Sequence, residues 1–185
     1  DYFLSKTKAE RAAWDFMENK GLKNKLTSIN PGGVFGDALD KKGGTSIEYV
    51  RQFMKGKFPG APKFAVLISD VKDIAKAHVA CIGNKKVGGR RLIVGKEVKK
   101  LVELSQLMAE AMPEYAKKLP KKELPNFMVK LISYLDSSAK TMIPDLGIMM
   151  QTDTRYAEEL LGFKFKPAKD CMAENAKSVV RLGLV

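Results

Sequence analysis

Residues 64–82 read FAVLISDVKDIAKAHVACI and contain a change from strand to helix. Phe64 to Ile68 form a short apolar run, which is typical of a buried β-strand. Asp70 then offers a side-chain oxygen to the N-terminus of a helix, and good helix formers follow over 71–82. A strand that leads directly into a helix is the building unit of α/β proteins.

The same alternation continues on both sides of this stretch. Further strands are predicted at Leu26–Ile29 and Arg90–Val94. Further helices are predicted over 3–19, 46–55, 97–112, 126–135, 154–161 and 170–182, several of them followed by a glycine that ends the helix. The fold class is therefore predicted to be α/β, although three isolated strands are too few for a complete doubly wound sheet.

The net charge of +12 raises the question of nucleic-acid binding. The excess is spread along the chain as pairs of lysines, with no arginine-rich tract and no interleaved aromatic residues. Solvated faces are the preferred interpretation, nucleic acid is not an expected partner, and a general attraction to polyanions stays as the alternative. Lysines interrupt every apolar run, so no membrane span is expected.

Cysteine and histidine usage limits the chemistry that the chain can support. Cys81 and Cys171 have no partner at metal or redox spacing, and we interpret both as reduced thiols of a cytoplasmic or organellar-matrix protein. His78 is the only histidine, so a histidine-rich metal site cannot form, and no metal is expected. We interpret His78 as a structural, hydrogen-bonded residue.

Tyr2 and Lys6 lie one helical turn apart at the start of the first predicted helix. An ammonium group beside a phenol favours the phenolate, which makes a tyrosine a better proton donor and acceptor near neutral pH. This spacing also arises by chance, and in that case Tyr2 packs and Lys6 is solvated.

The sequence that surrounds Tyr2 and Lys6 gives a more specific indication than the pair alone. The run YFLSKTKAERAAWDF over residues 2–16 resembles the active-site helix of extended short-chain dehydrogenase/reductases of the NAD-dependent epimerase/dehydratase-like superfamily. The likeness is strongest to the dihydroflavonol, cinnamoyl-CoA and aldehyde reductase branch. Ile29–Gly36 resembles a turn-rich loop of that branch, and Asp70–His78 resembles its D-V-x-D-V-A-x-A-H segment. Gly89–Val94 and Glu159–Phe163 match further landmarks, so that the resemblance covers nearly the whole chain.

The resemblance implies an NAD(P)H-dependent reduction of an aldehyde or ketone. Tyr2 would give a proton to the carbonyl oxygen while hydride arrives from the nicotinamide. Lys6 would hold the ribose hydroxyls of the nicotinamide nucleotide. The other positions that match cofactor-binding residues of the branch are Pro31, Gly32, Gly33, Val34 and Ser46, with Thr45 as the alternative to Ser46.

The resemblance also implies the C-terminal portion of a Rossmann-type doubly wound parallel sheet with a small, mostly helical substrate-binding lobe. Residues 1–45 would complete the nucleotide-binding domain. Residues 46–185 would form the lobe, interleaved with the last Rossmann elements at about 71–95. Four methionines are candidates for an apolar wall of the substrate pocket, with core packing as the alternative: Met54, Met128, Met149 and Met150.

The sequence departs from the family in what it does not contain. The glycine-rich phosphate-binding turn, the catalytic serine and the residue that selects NAD or NADP do not occur in it. We therefore expect the N-terminal half of the same enzyme, or another chain, to complete the NADP (or NAD) site. A homodimer or larger assembly is a further expectation, with Phe3 and Trp14 as contact candidates. The alternative is a catalytically incomplete fragment that serves as a structural or accessory subunit.

Overall fold

The structure is a computed structural model that describes residues 2–134, 140 and 142–185, and it confirms the predicted α/β class. The α-helices among these residues are α1 (Tyr2–Asn19), α2 (Thr45–Met54), α3 (Val71–Cys81), α4 (Leu101–Ala111), α5 (Asn126–Ile132), α6 (Arg155–Leu161) and α7 (Ala168–Arg181). The strands are β1 (Thr27–Pro31), β2 (Gly33–Phe35), β3 (Ala61–Pro62), β4 (Ala65–Asp70), β5 (Arg90–Val94), β6 (Glu97–Lys100) and β7 (Glu123–Leu124). Short 3₁₀ helices occur at Lys23–Lys25, Pro113–Tyr115 and Ile143–Asp145.

The strands form three small sheets. β1 and β5 run parallel, with Ile29 opposite Leu92. In the second sheet, β4 lies between β2, which is parallel to it, and β6, which is antiparallel. β3 and β7 form a short parallel pair. The chain passes from the first sheet to the second at Gly32, between β1 and β2, so the carboxyl end of β1 lies where the two sheets meet.

Two apolar clusters form the core. The larger one lies among α2, β4, α4 and α7, and its fully buried large side chains include Phe53, Met54, Ile68, Met108 and Met172. The smaller one lies among α3, β5 and α6, and it contains Ala77, Val87, Leu92, Val94, Ala157, Leu161 and Phe165. Each large apolar side chain that is fully buried stabilises the fold by about 1.5–3 kcal/mol, so the larger cluster dominates.

The start of α3 agrees with its predicted cap. The Asp70 carboxylate accepts hydrogen bonds from the backbone N–H of Lys72 at 2.9 Å and of Asp73 at 3.4 Å. These bonds satisfy two donors that have no partner inside a helix, which fixes the turn from β4 into α3.

The predicted helix over 97–112 is wrong in its first turn. Residues 97–100 form β6, and the helix begins at Leu101. β6 pairs with β4, with Val98 opposite Leu67. Ladder hydrogen bonds to β4 satisfy the backbone of this segment as well as a helix would, and the helical periodicity of the sequence gives no sign of that partner.

Both outer edges of the first sheet lack a strand partner in the part of the chain that the structure describes. Among the described residues, β1 pairs only with β5, and no strand covers its other edge. α1 contains no buried residue, and four of its large apolar side chains are exposed: Tyr2, Phe3, Leu4 and Phe16. Parallel strands are normally paired and covered, so this edge and helix present a surface suited to further polypeptide. No helix in the described ranges is long and apolar enough to cross a bilayer.

Candidate active site

The Glu10 carboxylate holds α1 against the first sheet. Its Oε1 accepts hydrogen bonds from Arg91 Nε and Ser28 Oγ, both at 2.8 Å, and its Oε2 accepts one from Asn30 Nδ2 at 3.0 Å. Burial acts to raise the pKa of Glu10, but hydrogen bonds from Arg91, Ser28 and Trp14 outweigh it, and the pKa lies below its ordinary value. The ionised carboxylate thus binds α1 to β1 and β5.

Sequence reasoning missed this contact. Ser28 and Asn30 are two positions apart on β1, so both side chains lie on the same face of the strand, which is the face that α1 covers. The strand was predicted only at Leu26–Ile29, with Asn30 in the following loop, so the sequence contains no sign that Ser28 and Asn30 share one strand face. Nothing local to the sequence identifies Glu10 as the partner.

Tyr2 and Lys6 lie side by side on the first two turns of α1. Lys6 Nζ is 5.7 Å from the centroid of the Tyr2 ring, a distance at which a cation is attracted to an aromatic face. The Tyr2 ring also makes an edge contact with Phe3, with 5.7 Å between the centroids. Tyr2 is 67% exposed, so a ligand can reach the phenol and the ammonium from solvent.

The segment from Pro31 to Val34 lies at the carboxyl end of β1, where the two sheets meet. The prediction of a continuous loop here is wrong, because Pro31 ends β1 and Gly33 and Val34 belong to β2. Three residues of β2 pair with β4, and Gly33 lies opposite Ile68. The side chains of Pro31 and Val34 are exposed.

The two glycines of this segment are required by β4. A Cβ atom on Gly32 would collide with the carbonyl oxygen of Leu67, and one on Gly33 would come within 2.8 Å of Val66 Cγ2. A side chain on Gly32 would therefore push β4 away from the connection between β1 and β2, whereas one on Gly33 would displace the side chains of Val66 and Phe35. The missing side chains make room for this strand.

Ser69, which sequence reasoning did not single out, joins three strand ends. The backbone N–H of Gly32 donates to Ser69 Oγ at 2.9 Å, and the Ser69 hydroxyl donates to the Val94 carbonyl at 2.6 Å. Ser69 is fully buried. One small hydroxyl thus fixes the carboxyl ends of β1, β4 and β5 relative to one another. In open α/β sheets, ligands bind just outside such carboxyl ends.

Ser46 lies in the first turn of α2, which packs against β2. It is partly buried, whereas its neighbour Thr45 is exposed. The predicted positions therefore lie on three elements: α1 with Tyr2 and Lys6, the connection between β1 and β2, and the start of α2. Asn30, which binds Glu10, connects the first two.

His78 and the two cysteines lie in surroundings that favour a structural role. His78 is exposed, and its Nδ1 lies 2.8 Å from the Ile74 carbonyl oxygen one turn earlier. Burial raises the pKa of both Cys81 and Cys171, and Asp70 raises that of Cys171 further, so neither thiol favours the thiolate form.

The four candidate methionines separate into two groups. Met54 is fully buried in the larger core cluster, which excludes it from a pocket wall. Met128, Met149 and Met150 are each more than a third exposed. Met149 and Met150 line a cleft of about 440 Å³ with Ala65 and Lys96.

The chain is similar to reductases of about twice its length. A putative NADPH-dependent methylglyoxal reductase of Candida albicans is 28% identical over 97% of this chain and 50% of its own length. The NADPH-dependent methylglyoxal reductase of Saccharomyces cerevisiae is 29% identical over 97% of this chain and 51% of its own length. The chain spans about half the length of the curated relatives it matches. No protein-family model matches it.

The chain also covers about half the length of similar solved structures. The crystal structure of the yeast methylglyoxal/isovaleraldehyde reductase complexed with NADPH has a TM-score of 0.69 at 27% identity, over 95% of this chain and 53% of that chain. Vestitone reductase from alfalfa has a TM-score of 0.71 over the whole of this chain and 53% of that chain, and at 21% identity it supports the fold alone. These likenesses confirm the predicted fold as the C-terminal part of a Rossmann-type reductase.

Proposed function

Because the chain belongs to the short-chain dehydrogenase/reductase superfamily, in its NAD-dependent epimerase/dehydratase group, we propose that it takes part in NADPH-dependent reduction of an aldehyde or ketone. The observation that carries the proposal is the Lys6 ammonium 5.7 Å from the Tyr2 ring, on a helix that Glu10 binds to the sheet. The NADPH dependence of the two methylglyoxal reductases supports the choice of cofactor.

The residues present fit one part of such a cofactor. The exposed Lys6 ammonium is a donor that suits ribose hydroxyls, and the adjacent phenol can share them. The spaces left by Gly32 and Gly33 are filled by β4, so in this region the exposed Pro31 and Val34 would lie against a nicotinamide ring. We assign Tyr2, Lys6, the backbone from Pro31 to Val34 and, on α2, Ser46 to the nicotinamide end. When bound, the cofactor supplies the hydride.

Tyr2 and Lys6 divide the acid–base work. The Tyr2 hydroxyl donates its proton to the carbonyl oxygen of the substrate, which prevents a full negative charge from developing there. The phenolate that remains is stabilised by the Lys6 ammonium. Such positioned proton donors contribute rate factors of about 10² to 10⁴. Glu10 lies four residues after Lys6, roughly 6 Å along the helix axis, and it acts by holding the helix in place.

The proposal requires further polypeptide. Tyr2 is 67% exposed and the outer edge of β1 has no partner among the described residues, so these residues alone do not enclose a reaction site. We propose that the N-terminal half of the same enzyme, or another chain, covers α1 and β1 and binds the cofactor phosphates. In this proposal, residues 1–45 complete the nucleotide-binding domain, and residues 46–185 form the substrate-binding lobe.

The test measures NADPH oxidation by the protein that contains this chain, with methylglyoxal and a panel of aldehydes and ketones as substrates. Tyr2→Phe should lower kcat by about 10²-fold or more, because the proton donor is lost. Tyr134→Phe removes a phenol that is 86% exposed, and it should leave kcat unchanged. Lys6→Met should lower kcat and raise KM for NADPH, whereas Lys8→Met, on the same helix, should change neither. Equal rates for Tyr2→Phe and wild type would falsify the assignment.

A structural or accessory subunit is the second candidate, and the exposed apolar side chains of α1 favour it. A helix that presents Phe3, Leu4 and Phe16 to solvent is suited to assembly with another protein. This candidate predicts a folded complex without NADPH oxidation, in which Tyr2→Phe changes nothing and Leu4→Asp disrupts assembly. The leading proposal predicts loss of turnover for Tyr2→Phe with assembly intact, so size-exclusion chromatography and the rate assay together distinguish the two.

A further inference from the structure

A lysine-rich cleft lies between the C-terminal end of α2 and the connection from α4 to α5. Its volume is about 630 Å³, within the range of small-molecule pockets. Half of the residues that line it are lysines: Lys55, Lys117, Lys118, Lys121 and Lys122. We call it the lysine cleft. Phe58 and Leu119, which are 4% and 3% exposed, form its apolar floor.

The charge of this cleft is uncompensated within the described part of the chain. None of its five ammonium groups forms an ion pair there, and no acidic residue lines the cleft. Other lysines are paired, including Lys96 with Glu158 and Lys166 with Asp70. Like charges on residues that line one concave space repel one another, and a bound anion relieves that repulsion.

The backbone that carries the lysines is anchored. The buried Ser105 hydroxyl donates to the Pro120 carbonyl at 2.6 Å, and the Ala61 N–H donates to the Lys122 carbonyl at 2.8 Å. On the other wall, Gly56 has a φ of +71°, and a Cβ there would lie 3.3 Å from Lys118 Cβ. The two walls are therefore packed closely, and the cleft exists before any ligand arrives. Of the five lysines, Lys118 has its ammonium group 5.5 Å from the centroid of the Tyr115 ring.

We propose that the lysine cleft binds a small anion that carries several phosphate groups. Lysine ammonium groups bind phosphate oxygens as point charges, and five of them around one cleft match a compact ligand of high charge density. The apolar floor of Phe58 and Leu119 would accept an organic part of the ligand. A single nucleic-acid strand would instead need an extended groove with exposed aromatic rings for its bases, and Phe58 is buried.

The site is separate from the proposed reaction site. Lys55 follows Ser46 by nine residues on or next to the same helix, roughly 14 Å along its axis. Ligand binding to the lysine cleft therefore does not depend on Tyr2 or Lys6, and failure of the proposed reductase function would leave this inference intact.

Isothermal titration calorimetry of the full protein tests the inference, with inorganic tripolyphosphate as the probe and orthophosphate for comparison. Tripolyphosphate should bind with clearly higher affinity than orthophosphate, and its affinity should fall as salt increases. Lys121→Glu/Lys122→Glu should weaken binding by about tenfold or more, and Lys55→Glu, on the opposite wall, should also weaken it. Lys85→Glu/Lys86→Glu makes the same charge change at an exposed pair outside the cleft, and it should alter affinity by less than about twofold.

Two results would overturn the inference. The first is the absence of tripolyphosphate binding to the wild-type protein, or an equal loss in the cleft and control variants, which would indicate only a response to net charge. The second is cleft-dependent binding of a single-stranded oligonucleotide without binding of tripolyphosphate, which would assign the cleft to nucleic acid. Circular-dichroism melts check that each variant folds, and Lys55→Glu carries the test if the double variant does not.

Discussion

Helices α1 and α7 differ in what covers them. α7 has 14 residues and packs against α2, α4 and β4, where it buries Ala168, Cys171, Met172, Asn175, Ala176, Ser178 and Val179. α1 has 18 residues and buries none. The longer helix thus contributes no side chain to the core, whereas the shorter one contributes five apolar side chains and also buries the polar residues Asn175 and Ser178.

This difference shows where the stability of each helix comes from. Most helical stability in proteins comes from packing of an apolar face, and α7 has that packing within the chain. α1 has a polar anchor at Glu10 and exposes Phe3, Leu4 and Phe16. The apolar face of α7 is therefore buried within the chain, whereas α1 has an exposed apolar surface that a partner can bury.

The largest expected effect lies in α7. Met172 is fully buried, and Met172→Ala should lower the free energy of unfolding by about 2–5 kcal/mol through lost transfer energy and a residual cavity. Met149→Ala, at a residue that is 41% exposed, should change it by less than about 1 kcal/mol. Chemical denaturation measures both. A small effect for Met172→Ala would show that α7 is not the better-anchored helix.

A buried carboxylate on α6, that of Glu158, should make stability depend on pH. Burial acts to raise the pKa of Glu158, but hydrogen bonds from Lys96, the Phe165 N–H and Lys164 lower it to about 2. A carboxyl whose pKa is depressed by folding contributes its stability fully above its ordinary pKa of 4.5, and that stability is lost as the pH falls toward 2. The loss should amount to about 1–3 kcal/mol.

The control for this pH dependence is the neighbouring residue. Glu158→Gln should be less stable than wild type at neutral pH, and the difference should shrink as the pH falls through this window. Glu159→Gln, at an exposed position, should follow the wild-type curve. Urea denaturation at a series of pH values measures the three curves, and parallel curves for Glu158→Gln and wild type would contradict the assignment.

The Glu10 anchor should have a smaller and local effect. Glu10→Ala removes hydrogen bonds to Ser28, Asn30 and Arg91, which should cost about 1–2 kcal/mol. Amide hydrogen exchange should accelerate in α1 and stay unchanged in α7. Glu18→Ala, which removes an exposed pair with Lys23, should leave α1 protected. Uniform acceleration across both helices would mean that α1 is coupled to the core.

The smallest effect is expected on the exposed face of α1. Phe16 is 61% exposed, and Phe16→Ala should change the free energy of unfolding of the isolated chain by less than about 0.5 kcal/mol. In the presence of the N-terminal half, the same substitution should weaken association if α1 is covered there. Denaturation of the isolated chain and a binding titration with that half separate the two effects.

Part of the fold could be predicted because it depends on short-range patterns. The alternation of strands and helices and the Asp70 cap follow from residues within a few positions of one another. β6 could not be predicted, because Val98 adopts a strand only through its pairing with Leu67, 31 positions earlier. β2 could not be predicted either, because Gly32 just before it and Gly33 at its start usually indicate a turn but here allow close approach to β4.

The candidate site also has features that the sequence predicts and features that only the structure shows. The proximity of Tyr2 and Lys6 follows from helical geometry alone, and the structure has the ammonium next to the ring. Ser69 contacts Gly32, which is 37 positions away in the chain, and Val94, which is 25 positions away. No local pattern in the sequence predicts these contacts. The roles of Tyr2, Lys6, Pro31 to Val34 and Ser46 in binding NADPH stay predictions for the rate assay.

The sequence by itself determined the α/β class, the order of the main elements and the adjacency of a phenol and an ammonium group, since these depend on local periodicity. Only the tertiary structure decided that Glu10 anchors α1, that Ser69 joins three strand ends and that lysines from two distant segments surround one cleft. Those contacts connect residues that are far apart in the chain, and only the packing of the whole fold brings them together.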